Sequence, residues 1–336
     1  MNDKKKVALI VDDENFFGPF KEAAEGRFQV RTVARPSKID QPRNVKDLMW
    51  VASDRVGSLT HVTKMHAWAD LVFYEWASRM LIRGSKKSGK AKVATRLHRH
   101  ELWSFADKIN WDNVDAVVFV CEAMERRFRK MVPDYGGTTR VIWNYVDIER
   151  YSPPKKRMTT MTMGILGGVL PRKRVYEAIL AFSEARKSVP GLRLKVAGRW
   201  WYPEYNDAVR ELVKKLELQD VVQLEGFVDD ILEWYRSLDI ILSFSHHEST
   251  HLTLFEGMST GCMPLAHFWD GVEEFLPAER IFSSESDFVG KVKSYYDLSE
   301  GERRRISDDG RKLMLSRYSG KKQIEEFVQF LEEMLS

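Results

Sequence analysis

The stretch Asp239–Met258 reads DIILSFSHHESTHLTLFEGM and predicts a strand, a polar loop and a helix in succession. The apolar run Asp239–Phe244 is short, and the apolar residues of Leu252–Thr260 then recur at helical spacing. Parallel sheets covered by helices are built from such strand-loop-helix units. The stretch therefore predicts an α/β fold with parallel strands.

Short apolar runs alternate with longer amphipathic stretches along the whole chain. At 336 residues the chain exceeds what one hydrophobic core usually supports, so two domains are expected. Tyr151–Arg157 contains adjacent prolines and three basic residues, which is typical of a linker. The predicted domains are 1–150 and 151–318, and a C-terminal helix at 319–336 is expected to pack back on the first domain.

The pattern predicts strands and helices in both halves of the chain. The predicted strands are Val7–Val11, Phe28–Val33, Asp70–Tyr74, Lys92–Leu97, Asp115–Cys121, Arg140–Trp143, Met161–Leu166, Leu192–Ala197, Val221–Glu225, Asp239–Phe244 and Met263–His267. The predicted helices are Glu101–Ile109, Glu122–Met131, Lys173–Lys187, Asn206–Leu216, Ile231–Leu238 and Leu252–Thr260.

The composition disfavours several classes of protein. Apolar residues make up 43% and charged residues 30%, as in chains that fold throughout. No run of about 18 apolar residues occurs, so a cytoplasmic location is expected. Cys121 and Cys262 lie far apart, which indicates buried free thiols and neither a disulfide framework nor a zinc site. The absence of GxGxxG and GxxxxGK[ST] disfavours a dinucleotide dehydrogenase and a P-loop NTPase.

The formal net charge is +4, and the basic excess lies in the first half of the chain. Much of it forms the basic run Arg83, Lys86, Lys87, Lys90, Lys92, Arg96 and Arg99. Such a run is either a solvated loop or a surface that attracts an anionic phospholipid membrane or a phosphorylated acceptor. Without a recognition-helix or RNA-platform motif, no nucleic-acid partner is expected. The aromatic segments of this half pack a core or contact a sugar or lipid, and they centre on Trp50, Trp68, Trp76 and Trp103.

Several predicted strands of the second half end in glycine, namely at Gly167, Gly198 and Gly226. Ligands of open parallel sheets bind beyond the carboxyl ends of the strands, so these turns mark one edge of the second sheet as a site. The predicted helix N-terminus at Leu252 presents backbone N–H groups that suit a phosphate. Glu248 and Glu256 either flank one ligand or serve as a capping and a surface carboxylate.

The residues from Met163 to about Phe288 resemble the retaining glycosyltransferases of family 4. The match is carried by Glu248, Glu256, Gly257, Met258, Gly261, Met263 and Pro264. The resemblance implies the GT-B fold, with two Rossmann-like domains whose parallel sheets face a central cleft. It also implies that Glu248 faces the donor sugar and that Glu256 binds the ribose hydroxyls of the nucleotide.

The segment Gly167–Arg174 resembles the part of the family that holds the donor diphosphate, which implies this role for Lys173 and Gly168. Gly168 stands where the family has an arginine, so either Arg172 or Arg174 takes its place. Thr250, His251 and Leu252 complete the implied diphosphate site. The family often has glycine at the position of His251. This histidine either narrows the space through which the phosphate approaches or adds a hydrogen-bond donor to it. Alternatively, it is a capping or packing residue. The implied nucleoside contacts are Gly198 and Phe227.

The first half resembles the family less closely. Val93–His98 resembles a family strand that ends in a histidine at the cleft, which implies that His98 contacts the transferred sugar. Asn144–Asp147 resembles the segment before the linker, with Tyr145 in place of glycine. A glycine pair that many members carry after the first strand is missing from Val11–Gly18.

The implied reaction moves a hexosyl or N-acetylhexosaminyl group from a nucleoside diphosphate sugar to a hydroxyl acceptor, with retention. The expected acceptor is a glycan, a glycolipid or a cell-envelope polymer precursor. The protein is expected to make peripheral contact with the membrane. No Asp-x-Asp triplet occurs, so no metal and no cofactor beyond the co-substrate are expected. The alternatives are a sugar-nucleotide epimerase of the same fold and a non-catalytic protein that binds anionic surfaces.

Overall fold

The computed structural model describes residues 4–11, 17–34, 60–86 and 89–336. The chain divides into a first unit, Met1–Trp143 with Lys321–Ser336, and a second unit, Asn144–Gly320. The first boundary therefore lies earlier than residue 150, where the sequence predicted it. Lys87 of the basic run, Trp50 and part of the Val11–Gly18 segment lie outside the described residues.

The first unit contains a six-stranded parallel sheet in the order β2-β1-β3-β4-β5-β6. Its strands are β1 Lys6–Val11, β2 Gln29–Ala34, β3 Leu71–Glu75, β4 Lys92–Leu97, β5 Ala116–Phe119 and β6 Thr138–Val141. Its helices are α1 Gly18–Arg27, α2 60–68, α3 Arg79–Gly84, α4 Arg99–Ser104 and α5 Glu122–Met131. Every residue of β3 is buried, as expected for a strand covered on both faces.

The second unit contains another six-stranded parallel sheet, in the order β12-β11-β10-β7-β8-β9. Its strands are β7 Thr162–Leu166, β8 Arg193–Ala197, β9 Val222–Gly226, β10 Ile240–Ser243, β11 Met263–His267 and β12 Ile281–Phe282. Its helices are α6 Val175–Ser188, α7 Pro203–Lys215, α8 Ile231–Arg236, α9 Leu252–Ser259, α10 Glu285–Asp297 and α11 Glu300–Arg317. The strand order reverses between β7 and β10, and ligands of such sheets bind at the carboxyl ends of the strands at this switch point.

The last helix of the chain, α12 Gly320–Leu335, contributes to the core of the first unit. The ring of Phe327 packs against Phe17, Phe20 and Phe73 with centroid distances of 5.8, 5.1 and 5.0 Å. Glu333 of the same helix pairs with Arg140. Aromatic rings bury large apolar areas, so these contacts attach the C-terminal helix firmly to the first sheet.

The predicted helix Glu101–Ile109 is wrong in its second half. The α-helix α4 ends at Ser104 because Phe105 leaves the helical region, with φ −137° and ψ −15°. A single 3-10 turn, Ala106–Lys108, follows. The indole of Trp111 donates to the main-chain oxygen of Ala106 at 2.8 Å, which takes a carbonyl that a continuing helix would use.

The basic run does not form one surface. Arg96 lies in β4 and is 1% exposed, 3.7 Å from the Glu75 carboxylate and stacked over the Phe20 ring. Its assignment to a surface for an anionic partner is therefore wrong, because the buried positive charge already pairs with a carboxylate. Lys86, Lys90 and Lys92 are exposed. None of the helices in the described ranges combines the length and the hydrophobicity that crossing a membrane requires.

Candidate functional site

The loop after β7 carries the basic residues to the carboxyl edge of the second sheet. Pro171–Lys173 forms one 3-10 turn, and Arg174 adopts a left-handed conformation with φ 55° before α6 begins. A side chain on Gly167 would lie 3.7 Å from Cε of Lys173, so the lysine extends back over the end of β7. The turn therefore directs Lys173 toward the switch point.

The loop after β10 supplies an acidic partner to this lysine. Oε1 of Glu248 accepts hydrogen bonds from Nζ of Lys173 at 2.6 Å and from Nη1 of Arg172 at 2.5 Å. Arg172 also donates to the main-chain oxygen of His247 at 3.0 Å, and its own main-chain oxygen accepts from the main-chain nitrogen of His246. These contacts join the loops after β7 and β10, as the switch-point prediction requires.

The arginine of this cluster is Arg172. Arg174 instead places Nε 3.4 Å from the carboxylate of Glu177, one turn along α6. Of the two candidates left open by the sequence, Arg172 is therefore the one that contacts Glu248.

The ionisation of Glu248 reflects its neighbours. Burial raises the pKa of this carboxyl, but the charges of Lys173 and Arg172 outweigh burial and hold the pKa well below its usual range. Glu248 is therefore ionised at neutral pH. Two cations surround one anion, so the cluster keeps a net positive charge that suits an additional anionic group.

His251 lies against the same lysine, with Nε2 3.0 Å from Nζ of Lys173. Burial and the charge of Lys173 lower the pKa of His251 to about 3, so the imidazole is neutral. An ammonium group can only donate, which makes Nε2 the acceptor and assigns the ring hydrogen to Nδ1. Nδ1 is buried and has no hydrogen-bond partner among the described residues.

Glu256 belongs to a different set of contacts. It lies on the second turn of α9, and its Oε2 accepts a hydrogen bond from the Tyr235 hydroxyl at 2.5 Å. Burial raises the pKa of the Glu256 carboxyl. The two glutamates are thus held separately, Glu248 by two cations and Glu256 by the Tyr235 hydroxyl.

The glycines at the strand ends bring backbones close together. Gly198 has φ 133°, and a side chain there would lie 1.8 Å from the main-chain oxygen of Gly167. Only glycine fits this close approach. Gly226 ends β9 with φ 72°, and Phe227 follows it with 69% of its surface exposed. These turns leave the carboxyl edge open beside the Lys173 cluster.

Gly168 has a structural partner that the sequence did not indicate. A side chain on Gly168 would lie 2.7 Å from Nε1 of Trp201, so the indole occupies the space beside it. Trp201 is 59% exposed, and the Arg199 guanidinium lies 5.9 Å from its ring and 6.0 Å from that of Phe227. The sequence signal that could have identified these two residues is the strand end at Gly198, since Arg199 follows it directly and Trp201 lies three residues after it.

Thr250 and Leu252 lie where the sequence placed them, at the start of α9. Thr250 is buried, and Leu252 is the first residue of the helix. The first backbone N–H groups of a helix have no partner within it, so this end offers donors to an anion.

His98 belongs to the first unit, at the end of β4. Its Nε2 lies 3.2 Å from Oε1 of Glu75, and its ring stacks on Trp76 at 4.0 Å. Trp76 has a φ of 78°, which is unusual for a bulky residue. The sugar contact predicted for His98 stays a prediction. The structure adds Glu75 and Trp76 as the residues that hold its ring.

In the parts of the chain that the structure covers, no three His, Cys, Asp or Glu side chains are grouped as metal ligands would be. Metal independence stays a prediction that chelation can test.

A protein-family model matches the part of the chain that contains this cluster. Residues 172–329 match a protein-family model described as "Glycosyl transferase-like". The matched region includes Arg172, Lys173, Glu248 and Glu256, the residues that the structure places around the switch point and on α9.

Two curated relatives match parts of the chain. Poly(glycerol-phosphate) alpha-glucosyltransferase of Bacillus subtilis is 24% identical over 161 residues, which are 47% of this chain and 23% of that protein. GDP-mannose:cellobiosyl-diphosphopolyprenol alpha-mannosyltransferase of Xanthomonas campestris is 30% identical over 129 residues, which are 38% of this chain and 33% of that protein. The matches thus span less than half of each relative.

A solved structure matches nearly the whole chain. The Anabaena protein HepE, in complex with UDP and glucose, aligns with a TM-score of 0.73 and 15% identity over 98% of this chain and 100% of that one. With the two six-stranded parallel sheets, this likeness shows the GT-B fold. The prediction of two Rossmann-like domains is confirmed.

Proposed function

We propose that this chain is a glycosyltransferase that moves a sugar from a nucleoside diphosphate sugar to a hydroxyl acceptor, with retention at the anomeric carbon. The observation that carries the proposal is the convergence of Lys173 and Arg172 on Glu248 at the switch point of the second sheet. Fixed cations at such an edge suit a diphosphate. The glycosyl transferase-like match of the same region supports the assignment.

In the proposed reaction, the bond between the anomeric carbon and the diphosphate oxygen breaks. The acceptor oxygen bonds to that carbon on the same face, and the hydroxyl proton is released together with the nucleoside diphosphate. Negative charge grows on the departing diphosphate. Lys173, Arg172 and the N-terminus of α9 stabilise this charge, because cations and helix N-termini fixed in place need no reorganisation during the reaction.

Glu248 orients the donor sugar. Lys173 and Arg172 both bind its Oε1, which leaves Oε2 to accept a sugar hydroxyl. Glu256 binds the ribose, and the Tyr235 hydroxyl fixes the orientation of its carboxyl group. Gly198 and Phe227 line the binding site of the nucleoside. His98 contacts the transferred sugar in this reaction, and Glu75 holds the imidazole ring in place.

The names of the relatives support a polymer or lipid-linked acceptor. One relative is a poly(glycerol-phosphate) glucosyltransferase, and the other transfers mannose to a diphosphopolyprenol-linked sugar. The transferred sugar is therefore a hexose. Its acceptor is either a lipid-linked molecule at a membrane or an envelope polymer. Lys86, Lys90 and Lys92 are exposed and close in sequence, and their positive charge favours anionic acceptors of this kind.

The test is donor consumption by the purified chain with a panel of UDP-, GDP- and ADP-sugars. UDP-glucose is the first choice because HepE was solved with UDP and glucose. We expect nucleoside diphosphate release that depends on an acceptor, a product with the anomeric configuration of the donor, and activity that survives EDTA. A donor consumed without any acceptor, or activity lost to EDTA and restored by manganese, would contradict the proposal.

A further inference from the structure

A basic cavity of about 310 Å³ lies at the edge of the second sheet opposite the Lys173 cluster. Its walls are the segment 153–159, which precedes β7, the part of α11 from Glu300 to Arg311, Tyr295, and Asp239, which precedes β10. The cavity therefore adjoins the amino ends of β7 and β10. A ligand there would leave the carboxyl edge free.

Three arginines of the cavity wall are fixed by main-chain carbonyls. Arg157 donates to Leu238 and Thr260, Arg303 donates to Tyr296 and Leu298, and Arg311 donates to Tyr151 and Ser259. These partners are neutral carbonyl groups, so the hydrogen bonds orient each guanidinium without cancelling its charge by a carboxylate. A wall of oriented cations needs little reorganisation to receive an anion.

The mouth of the cavity carries three more cations: Lys155, Lys156 and Arg304, all exposed. Within the described residues none of the three takes part in an ion pair. Their charges therefore remain available to a ligand, and the side chains are long enough to fold over one.

The acidic residues of the cavity are fewer. Asp239, Glu300 and Asp308 face the six basic residues. The Asp239 carboxylate is already engaged, since it accepts hydrogen bonds from the main-chain nitrogen of Thr160 at 3.1 and 3.0 Å and from the Tyr296 hydroxyl at 3.3 Å. The excess of positive charge favours a compact anion with several acceptor oxygens.

We propose that this cavity is a second, separate anion site that binds a phosphate group, carried either by a soluble phosphate ester or by a phospholipid headgroup. Arg157, Arg303 and Arg311 form its fixed wall, and Lys155, Lys156 and Arg304 close over the ligand. Because the walls include the segment that leads into β7, an occupied site stabilises the start of the second unit. The inference does not depend on the proposed sugar transfer.

The first experiment measures thermal unfolding of the full chain with increasing inorganic phosphate or pyrophosphate at constant ionic strength, with chloride as the reference anion. A ligand that binds the folded state raises the unfolding temperature. We expect the phosphate-dependent rise in the wild type, and a smaller rise in Arg304→Ala and in Lys155→Ala/Lys156→Ala, where only the Lys173 cluster can still bind the anion. Arg305→Ala and Lys214→Ala/Lys215→Ala are the matched controls, because they remove exposed basic residues outside the cavity.

Lys173→Ala separates the two sites of the second unit. The rise should persist in Lys173→Ala if phosphate binds the basic cavity. A rise that disappears only in Lys173→Ala, or that falls equally in Arg304→Ala and Arg305→Ala, overturns the proposal. Failure of the proposed enzymatic function has a different signature, which is absence of sugar transfer with the phosphate response intact.

A vesicle experiment identifies the source of the phosphate. Co-sedimentation with phosphatidylglycerol vesicles, compared with phosphatidylcholine vesicles, that is lost in Arg304→Ala but not in Arg305→Ala assigns the site to a lipid headgroup. Thermal stabilisation by soluble phosphate without such co-sedimentation assigns it to a soluble ester. Each of these results supports the site. Equal behaviour of the two arginine variants in both experiments refutes it.

Discussion

Each unit holds a carboxylate, a basic residue and a histidine at the carboxyl edge of its parallel sheet, but the two clusters are packed differently. In the first unit, Glu75 pairs with Arg96 and His98, and both charged residues are almost fully buried at 3% and 1% exposure. In the second unit, Glu248 pairs with Arg172 and Lys173, and Arg172 keeps 26% of its side chain exposed.

The difference follows from where the cations lie. Arg96 belongs to a central strand and is stacked over the Phe20 ring, whereas Arg172 and Lys173 belong to a turn beyond the strand end. A charge buried in a sheet must be neutralised in place, while a charge on a turn at the sheet edge can also meet a ligand. The buried Glu75–Arg96 pair therefore stabilises its sheet, whereas the cations paired with Glu248 can also bind a ligand.

The largest effect is expected when the buried ion pair between Arg96 and Glu75 in the first unit is broken. Arg96→Ala leaves the Glu75 carboxylate buried without its cation, so we expect a loss of about 3–5 kcal/mol in the free energy of unfolding. Urea denaturation measures it. Arg99→Ala, next along the chain and only partly buried, serves as the control and should cost less than about 1 kcal/mol. Equal losses in the two variants would mean that the pair of Arg96 and Glu75 does not determine the stability of this edge of the sheet.

The second effect concerns the cluster of the second unit. Lys173→Ala should fold normally but reduce sugar transfer about 10²–10³-fold, because it removes a cation from the departing diphosphate. Nucleoside diphosphate release measures the rate. Lys187→Ala removes an exposed lysine that pairs with Glu184 at the end of α6 and should leave the rate unchanged. Full activity of Lys173→Ala would exclude its phosphate role and weaken the contrast between the clusters.

The third effect is an acid sensitivity of the second cluster. The pKa of His251 is lowered to about 3, whereas an unfolded histidine titrates near 6.5. Below about pH 6.5 the unfolded chain therefore binds the proton that the folded chain excludes, so this contribution to stability is complete above that pH and falls as the pH decreases. The slope approaches about 1.4 kcal/mol per pH unit.

Urea denaturation between pH 7 and pH 5 checks this slope. His251→Gln should lose less stability on acidification than the wild type. His246→Gln, which changes an exposed histidine of the same loop, should keep the wild-type slope. A wild-type slope in His251→Gln would mean that other groups cause the acid sensitivity.

The smallest effect concerns the support of Glu256. Tyr235→Phe removes the hydrogen bond to its carboxyl group and should cost about 1 kcal/mol, seen as a several-fold rise in KM for the donor with little change in kcat. Tyr202→Phe changes an exposed tyrosine and is the control. A fall in kcat with an unchanged KM would move Tyr235 from nucleotide binding to the chemical step.

Much of the fold was predictable because strands and helices leave local patterns. The predicted strands of both halves overlap the observed strands from β1 to β11, and the glycines at the ends of β7, β8 and β9 mark their turns. The two-residue strand β12 was not predicted, since so short a run has no periodicity. The predicted end of α4 was wrong because the observed end depends on a contact of Ala106 with Trp111.

The sequence by itself determined the alternation of strands and helices, the turns that require glycine, and the acidic and basic residues offered at one edge of the second sheet. Tertiary structure decided that Arg172 rather than Arg174 meets Glu248, that Trp201 lies beside Gly168, and that Arg96 is buried. Local patterns follow from backbone geometry and side-chain periodicity within a few residues. Burial and charge pairing depend on packing between segments far apart in the chain, such as Lys173 and Glu248, so no short stretch of sequence specifies them.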